Sequence, residues 1–205
     1  MGRQGNKERF LTLGSSIMSD NLKYNQLQIP GAMLLPGFSI YLLELNIQGE
    51  KQYYVGMTGD PYYPSARAAF HRISGHLELL DRSTQNQLKK VLDKLELTDE
   101  DIADVNIIMH HFPIEGYQKW ELTKSFKKEE MERVRNSAEY GAYKKRQRQI
   151  KALEDALIYG LKKSGQVHIL NKTRGKKGNV QPEFEGLVAS IGEVLKLDPG
   201  WIVNN

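Results

Sequence analysis

Two short strand-like runs lead directly into a helix, and this arrangement constrains the fold of the chain more than any other feature. The runs are Phe38-Ser39-Ile40-Tyr41-Leu42-Leu43-Glu44-Leu45 and Gln52-Tyr53-Tyr54-Val55-Gly56-Met57. Each is rich in β-branched, aromatic and aliphatic residues, the composition of a half-buried pleated surface. The interval Asn46-Ile47-Gln48-Gly49-Glu50-Lys51 has hairpin chemistry, so residues 38–46 and 51–57 are expected to pair antiparallel. A hairpin cannot stand alone in water and needs a third strand or a helix on its apolar face. The chain offers both.

The segment Asp104 to Phe112, rich in Val and Ile, reads as a third strand ended by Pro113-Ile114-Glu115-Gly116. Helical segments are expected at about 66–80 with Ser65 as cap, from Thr84 to Leu97, from Trp120 to about Tyr140, and from Arg146 to Lys163. Thr98-Asp99-Glu100-Asp101 reads as an interruption, and Pro182 to Leu197 as one more helix. The expected architecture is α+β: a small three-stranded antiparallel sheet flanked by helices. A chain of 205 residues is most simply a single domain, 1–205. Within it, residues 1–35 read as an N-terminal arm, 36–171 as the core, and 172–205 as a basic loop with a C-terminal extension.

Helical phase tests which polar side chains point inward. With Ile73 at zero and roughly 100° per residue, Ala66, Ala69, Phe70, Leu77 and Leu80 lie within about 60° of it. Arg72 and His76 flank that stripe one turn apart, whereas His71 falls on the solvent side and Arg67 lies well off the stripe. Arg72/His76 is therefore better placed to face the sheet than Arg67/His71. In the later helix, Ile150, Leu153, Leu157, Ile158 and Leu161 form the apolar stripe and Glu154 sits inside it, while Asp155 faces away. A carboxylate among core positions is costly unless it is paired or holds a cation. Two readings stand: a buried salt bridge with Lys or Arg, or a divalent-metal ligand. Asn171, after the short strand-like run Val167-His168-Ile169-Leu170, is either a turn residue or part of a site. His110 and His111 are adjacent on a strand and point to opposite faces, so they are not a chelating pair. Gly56-Met57-Thr58-Gly59 lacks the spacing of a phosphate-binding glycine loop.

Composition narrows the partners. Net charge is +4. The basic residues crowd together: Lys119, Lys124, Lys127, Lys128, Lys144, Lys145, Arg146 and Arg148, then Lys172, Arg174, Lys176 and Lys177 in a loop containing glycine. Such clusters suit a phosphate backbone. The absence of cysteine excludes disulfides, thiolate zinc sites and cysteine nucleophiles. No run approaches the roughly 18 apolar residues of a membrane span. Met1 to Lys7 has no apolar stretch of the secretory kind, and Asn6 stands where myristoylation wants Ser or Thr. A cytoplasmic chain with no membrane partner is expected.

Taken in order, these residues resemble a known family. Ser39-Ile40-Tyr41 and Tyr54-Val55-Gly56 resemble the two signature tripeptides of the GIY-YIG nuclease superfamily. Arg72 and His76 match its Arg and the His four residues later, Glu154 its later helical Glu, and Asn171 its following Asn. The resemblance spans residues 38 to 171. Ser39 replaces the first glycine, Val55 replaces isoleucine, and Met57 stands where many members carry a polar or basic residue. The Glu-to-Asn interval, 171 − 154 = 17, is long.

The resemblance implies a hydrolase of phosphodiesters in double-stranded DNA, using Mg²⁺ or Mn²⁺. It implies Tyr41 as general base, helped by the metal, Arg72 or a neighbour, and His76 as partner or substitute base. Tyr54 would orient water or phosphate, Arg72 hold the phosphate, Glu154 bind the metal and Asn171 support the site. The absence of a recognisable second DNA-binding module fits a free-standing member of restriction type. A repair or recombination nuclease and a catalytically silent nucleic-acid-binding protein remain as alternatives, and monomer and homodimer are both open.

Overall fold

The computed structural model describes residues 27–60, 65–78, 86–117 and 128–202. Strands β1 (Phe38–Ile47) and β2 (Glu50–Met57) form the expected hairpin, in register from Ile40↔Met57 to Ile47↔Glu50. The turn is tighter than expected, because Gln48 and Gly49 both take positive φ, 52° and 83°. That is the twist-matched two-residue connection, and it lets pairing run to the very ends of both strands. Helix α1 (Ala69–His76) follows, then α2 (Lys89–Leu92), which continues as a 3-10 turn over Asp93–Leu95. Next come α3 (Asp99–Asp104), β3 (Asn106–Ile114), α4 (Lys128–Arg135), α5 (Ala138–Ser164), β4 (His168–Ile169) and α6 (Glu185–Leu195). Short 3-10 turns precede β1 and α6, at Gly31–Leu34 and Pro182–Phe184.

The α+β class holds, but the sheet has four strands and is mixed. Its order is β3-β1-β2-β4, with β3 antiparallel to β1 and β4 parallel to β2. This corrects the expected three-stranded antiparallel sheet. Pairing of β4 covers only Gln52↔His168 and Tyr53↔Ile169, too short a run to show a period of two in sequence. A parallel neighbour also needs a crossover, which α5 provides.

Other boundaries moved for local reasons. β3 runs through Pro113, which pairs with Ser39, because β3 is an edge strand where a missing N–H costs little. α1 starts three residues later than expected. The Ser65 carbonyl accepts hydrogen bonds from Asp60 N at 2.7 Å and from the Tyr143 hydroxyl at 2.8 Å, so residues 65–68 belong to a loop. The Thr98 segment does more than interrupt. Thr98 Oγ1 accepts from Asp101 N, and Thr98 N donates to Asp101 Oδ2, a reciprocal cap that starts α3. The break between the last long helices falls at Ser137, whose hydroxyl caps Tyr140 N; α5 then runs 27 residues without interruption.

The central strand β1 is buried on both faces. Phe38, Ile40 and Leu42, with Tyr53, Val55 and Met57, pack on Ile150, Leu153, Leu157 and Leu161 of α5 and on Val188 and Ile191 of α6. Each such aliphatic side chain contributes roughly 1.5–3 kcal/mol by leaving water. The opposite face carries Tyr41, Leu43, Leu45 and Ile47 against Leu88, Ile73, Val91 and Leu92. Helix α1 thus lies on the face to which Tyr41 and Tyr54 belong. Among the described residues, no helix is long and apolar enough to cross a membrane.

Candidate active site

Tyr41 is fully buried and sits opposite Gly56 in the hairpin register. Its ring lies across that glycine: a Cβ on Gly56 would stand 2.2 Å from Tyr41 Cζ and 2.3 Å from its hydroxyl. The need for glycine is one of space. Gly56→Ala is expected to cost about 1–3 kcal/mol or more by overpacking, since the fully buried ring would have to shift to admit the methyl group. A lowered urea midpoint checks this; an unchanged midpoint would contradict the packing described.

The Tyr41 hydroxyl lies 2.6 Å from His76 Nε2. The Tyr54 ring packs edge-on to the same imidazole at 4.8 Å between centroids. Arg72, one turn before His76, lies close enough to Tyr41 to act electrostatically on its phenol. So α1 turns Arg72 and His76 inward onto the two tyrosines, while Arg67 and His71 are exposed.

Electrostatics set the protonation states. Burial pushes the Tyr41 phenol up to about 12; Arg72 opposes this and the Glu154 charge adds to it. Burial likewise raises Tyr54, with Tyr41 and Glu154 adding to the effect. Burial, then the Arg72 charge, drives His76 down to about 4. At neutral pH the imidazole is neutral and the phenol protonated. The 2.6 Å contact is therefore Tyr41 O–H donating to Nε2, which leaves the ring proton on Nδ1. Both His76 Nδ1 and Arg72 Nε are buried with no hydrogen-bond partner among the described residues.

The depressed imidazole has a consequence for stability. An unfolded histidine titrates near 6.5 and folded His76 near 4, so the unfolded chain takes up the proton first. The contribution is complete above the unfolded value and is lost as pH falls toward 4, about 3 kcal/mol in all. His76→Gln keeps an acceptor for Tyr41, so its denaturant midpoint is expected to fall less on acidification than that of the wild type. Parallel acid limbs in the two proteins would contradict this.

Glu154 reaches the same place from α5, with its side chain 14% exposed. Its charge is felt by Tyr41 and Tyr54 and it feels that of Arg72. Burial raises its carboxyl, opposed first by Lys151. Lys151 Nζ stands 2.8 Å from Glu154 Oε2 and 2.8 Å from Asp155 Oδ1. The salt-bridge alternative for Glu154 is thus realised, and Asp155, expected to face away, shares the same lysine. Tyr54, Lys151, Glu154, Asn171, Lys172 and Thr173 line a cavity of about 250 Å³.

Asn171 spends its whole amide on β2. Oδ1 accepts from Val55 N at 2.8 Å and Nδ2 donates to Val55 O at 2.7 Å. It extends the sheet edge beyond β4 and secures the strand that carries Tyr54 and Gly56. Lys162, which sequence reasoning missed, holds the loop that follows. Its Nζ donates to Asn171 O and, at 2.8 Å, to Thr173 O. Gly175 presses on α5 at φ 67°, where a Cβ would be 2.3 Å from Asp155 O, and Lys176 N donates to that carbonyl. Lys172, Arg174, Lys176 and Lys177 are exposed on this anchored loop.

The other basic candidates divide. Lys119, Lys124 and Lys127 lie outside the described residues, and Lys128 opens α4. Lys145 and Arg148 are exposed on α5. Lys144 is half-buried there, and its carbonyl accepts from Arg148 Nε. Arg146 is engaged within the fold. It donates to Glu115 O, pairs with Glu183 at 2.8 Å and stacks over Phe184. His110 pairs with Glu44, which also bonds Lys51, on the face opposite Tyr41. Among the described residues no three His, Asp or Glu side chains are grouped to cage a metal. Compared with protein-family models, curated proteins and solved structures, the chain matches none.

Proposed function

We propose that this chain is a metal-dependent DNA endonuclease of GIY-YIG type, a phosphodiester hydrolase acting on double-stranded DNA in the cytoplasm. A role in restriction or defence is part of this proposal. The observation that carries the reading is the Tyr41–His76 hydrogen bond, with Arg72 and Glu154 both acting electrostatically on the same phenol. Two tyrosines, an arginine, a histidine and a glutamate come together from four elements, three of them consecutive in the chain and the fourth, α5, far along it. The same tyrosine is raised by burial and by a carboxylate and lowered by an arginine, a pattern that marks functional sites.

The donor set suits a hard cation. A lone carboxylate beside a cavity, with room for water and phosphate oxygens, matches how Mg²⁺ is usually held. When bound at Glu154, the metal would stabilise charge on the scissile phosphate and the leaving 3′ oxygen. The protein's own groups account for the rest. Arg72 holds a phosphate oxygen by charge-assisted hydrogen bonds. Tyr41 passes its proton to neutral His76 at Nε2 and takes one from the attacking water, so that His76 ends the relay. Such a relay avoids a free phenolate, which the raised Tyr41 makes scarce at neutrality. Tyr54 orients the water and Asn171 steadies the strand beneath it. Lys172, Arg174, Lys176 and Lys177, with Lys145 and Arg148, supply backbone phosphate contacts.

One observation favours a second reading, a catalytically silent nucleic-acid-binding protein: Lys151 already neutralises Glu154. Incubation of the purified chain with supercoiled plasmid decides between them. Nicked or linear product with Mg²⁺ or Mn²⁺, lost with a chelator, is expected. Binding without cleavage under either metal would establish the silent reading.

A further inference from the structure

We infer that Lys151 is an internal stand-in for the divalent cation, displaced from Glu154 onto Asp155 when the metal binds. The inference rests on the proposal that Glu154 holds the metal. Its basis is the fork that one lysine makes with two carboxylates. Lys151 Nζ is 2.8 Å from Glu154 Oε2 and 2.8 Å from Asp155 Oδ1, one helical turn ahead of both. The two acceptors differ in setting. Glu154 is felt by Tyr41 and Tyr54 in the site, whereas the backbone carbonyl of Asp155 anchors the basic loop through Lys176.

A cation on Glu154 and an ammonium on the same carboxylate compete for its charge. Mg²⁺ binds oxygen at about 2.1 Å, closer than any ammonium contact, and like charges that near repel strongly. Lys151 can nevertheless leave without becoming a buried unpaired charge. Its side chain is 47% exposed, its stem is flexible, and Asp155 keeps one of its two ion pairs. The device also explains how a buried carboxylate survives in the metal-free protein, where an isolated charge would be costly. Because Lys151 lines the same cavity as Glu154 and Lys172, the released ammonium stays at the cavity wall, where a DNA phosphate would meet it.

The test is Mn²⁺ binding by the full chain without DNA, read from the electron paramagnetic resonance signal of free Mn²⁺. Lys151→Met keeps the stem and removes the competing charge. Its apparent Kd is expected to tighten by up to about fivefold, the upper range an exposed ion pair commands. Lys151→Arg keeps the charge and is expected to bind no more tightly than wild type. Equal affinity in Lys151→Met and wild type overturns the displacement, as does equal tightening in both variants. Glu154→Gln separates the two proposals. If it abolishes Mn²⁺ binding, the metal assignment stands whatever Lys151 does; if it leaves binding intact, the metal is not at Glu154 and both proposals fall.

Discussion

Glu154→Gln is expected to yield a folded protein with no metal-dependent cleavage, a loss of about 10³-fold or more. The size follows from what the residue would supply. A metal acting on a phosphoryl oxygen contributes several kcal/mol of charge stabilisation, and each 1.4 kcal/mol is about tenfold in rate. Among the described residues no second carboxylate lines the cavity to take over, since Asp155 is not part of its wall. Stability should not suffer. Burial already disfavours the charged form of Glu154, and a neutral amide of the same shape removes that cost. Lys151 retains Asp155. The measurement is plasmid cleavage beside a thermal melt: full activity would remove Glu154 from the site, whereas a dead variant with a native melt supports its role.

Tyr41→Phe is expected to slow the chemical step by about 10² to 10⁴, the range of a lost acid–base group. DNA and metal binding should persist. The change deletes one oxygen, so the ring still fills the space above Gly56. It does leave His76 Nε2 without the Tyr41 hydroxyl, a buried acceptor whose loss of partner costs about 1–3 kcal/mol, so the melt should fall by a few degrees. Tyr54→Phe is the control. Tyr54 touches His76 through its ring rather than its hydroxyl, and its loss should be milder. The pH dependence separates two versions of the proton path. A free Tyr41 phenolate would make the single-turnover rate climb with pH toward about 12. A relay ending on His76, neutral well below pH 7, leaves the rate nearly level through neutrality, and this is the expected profile. A Tyr41→Phe enzyme with near-normal single-turnover rate would move the base role to His76.

Much of the site could be read from the sequence because helical phase and strand alternation are local rules. Arg72 and His76, separated by one turn, had to share a face, and the stripe around Ile73 indicated which face. Glu154 stood out for the same reason, a carboxylate among Ile150, Leu153, Leu157 and Ile158. The sequence could not say that Lys151 would neutralise it, since i,i+3 and i,i+4 lysines usually point to solvent. Gly56 was legible as part of the second strand run but not as the floor under the Tyr41 ring, which depends on the Tyr41↔Gly56 register. The contacts of Lys162 and Arg146 with loop carbonyls were invisible, because backbone carbonyls leave no trace in residue identity. β4 was missed as part of the sheet because two paired residues carry no periodicity. Ser65 carried a misleading signal: its capping chemistry was real, but its carbonyl was already committed to Asp60 and Tyr143.

The Asn171–Val55 amide pair joins residues 116 positions apart. A protein made from its N-terminus emerges in that order. The hairpin with both tyrosines, and then α1 with Arg72 and His76, exist long before Asn171 does. Until about residue 171 has left the ribosome, the outer edge of β2 lacks its last two hydrogen bonds, and Glu154 has only just been made. The nascent chain therefore carries an incomplete centre until Asn171 has emerged. A centre built from β1, β2, α1, α5 and Asn171 closes only after its last member has emerged, a timing set by chain topology alone.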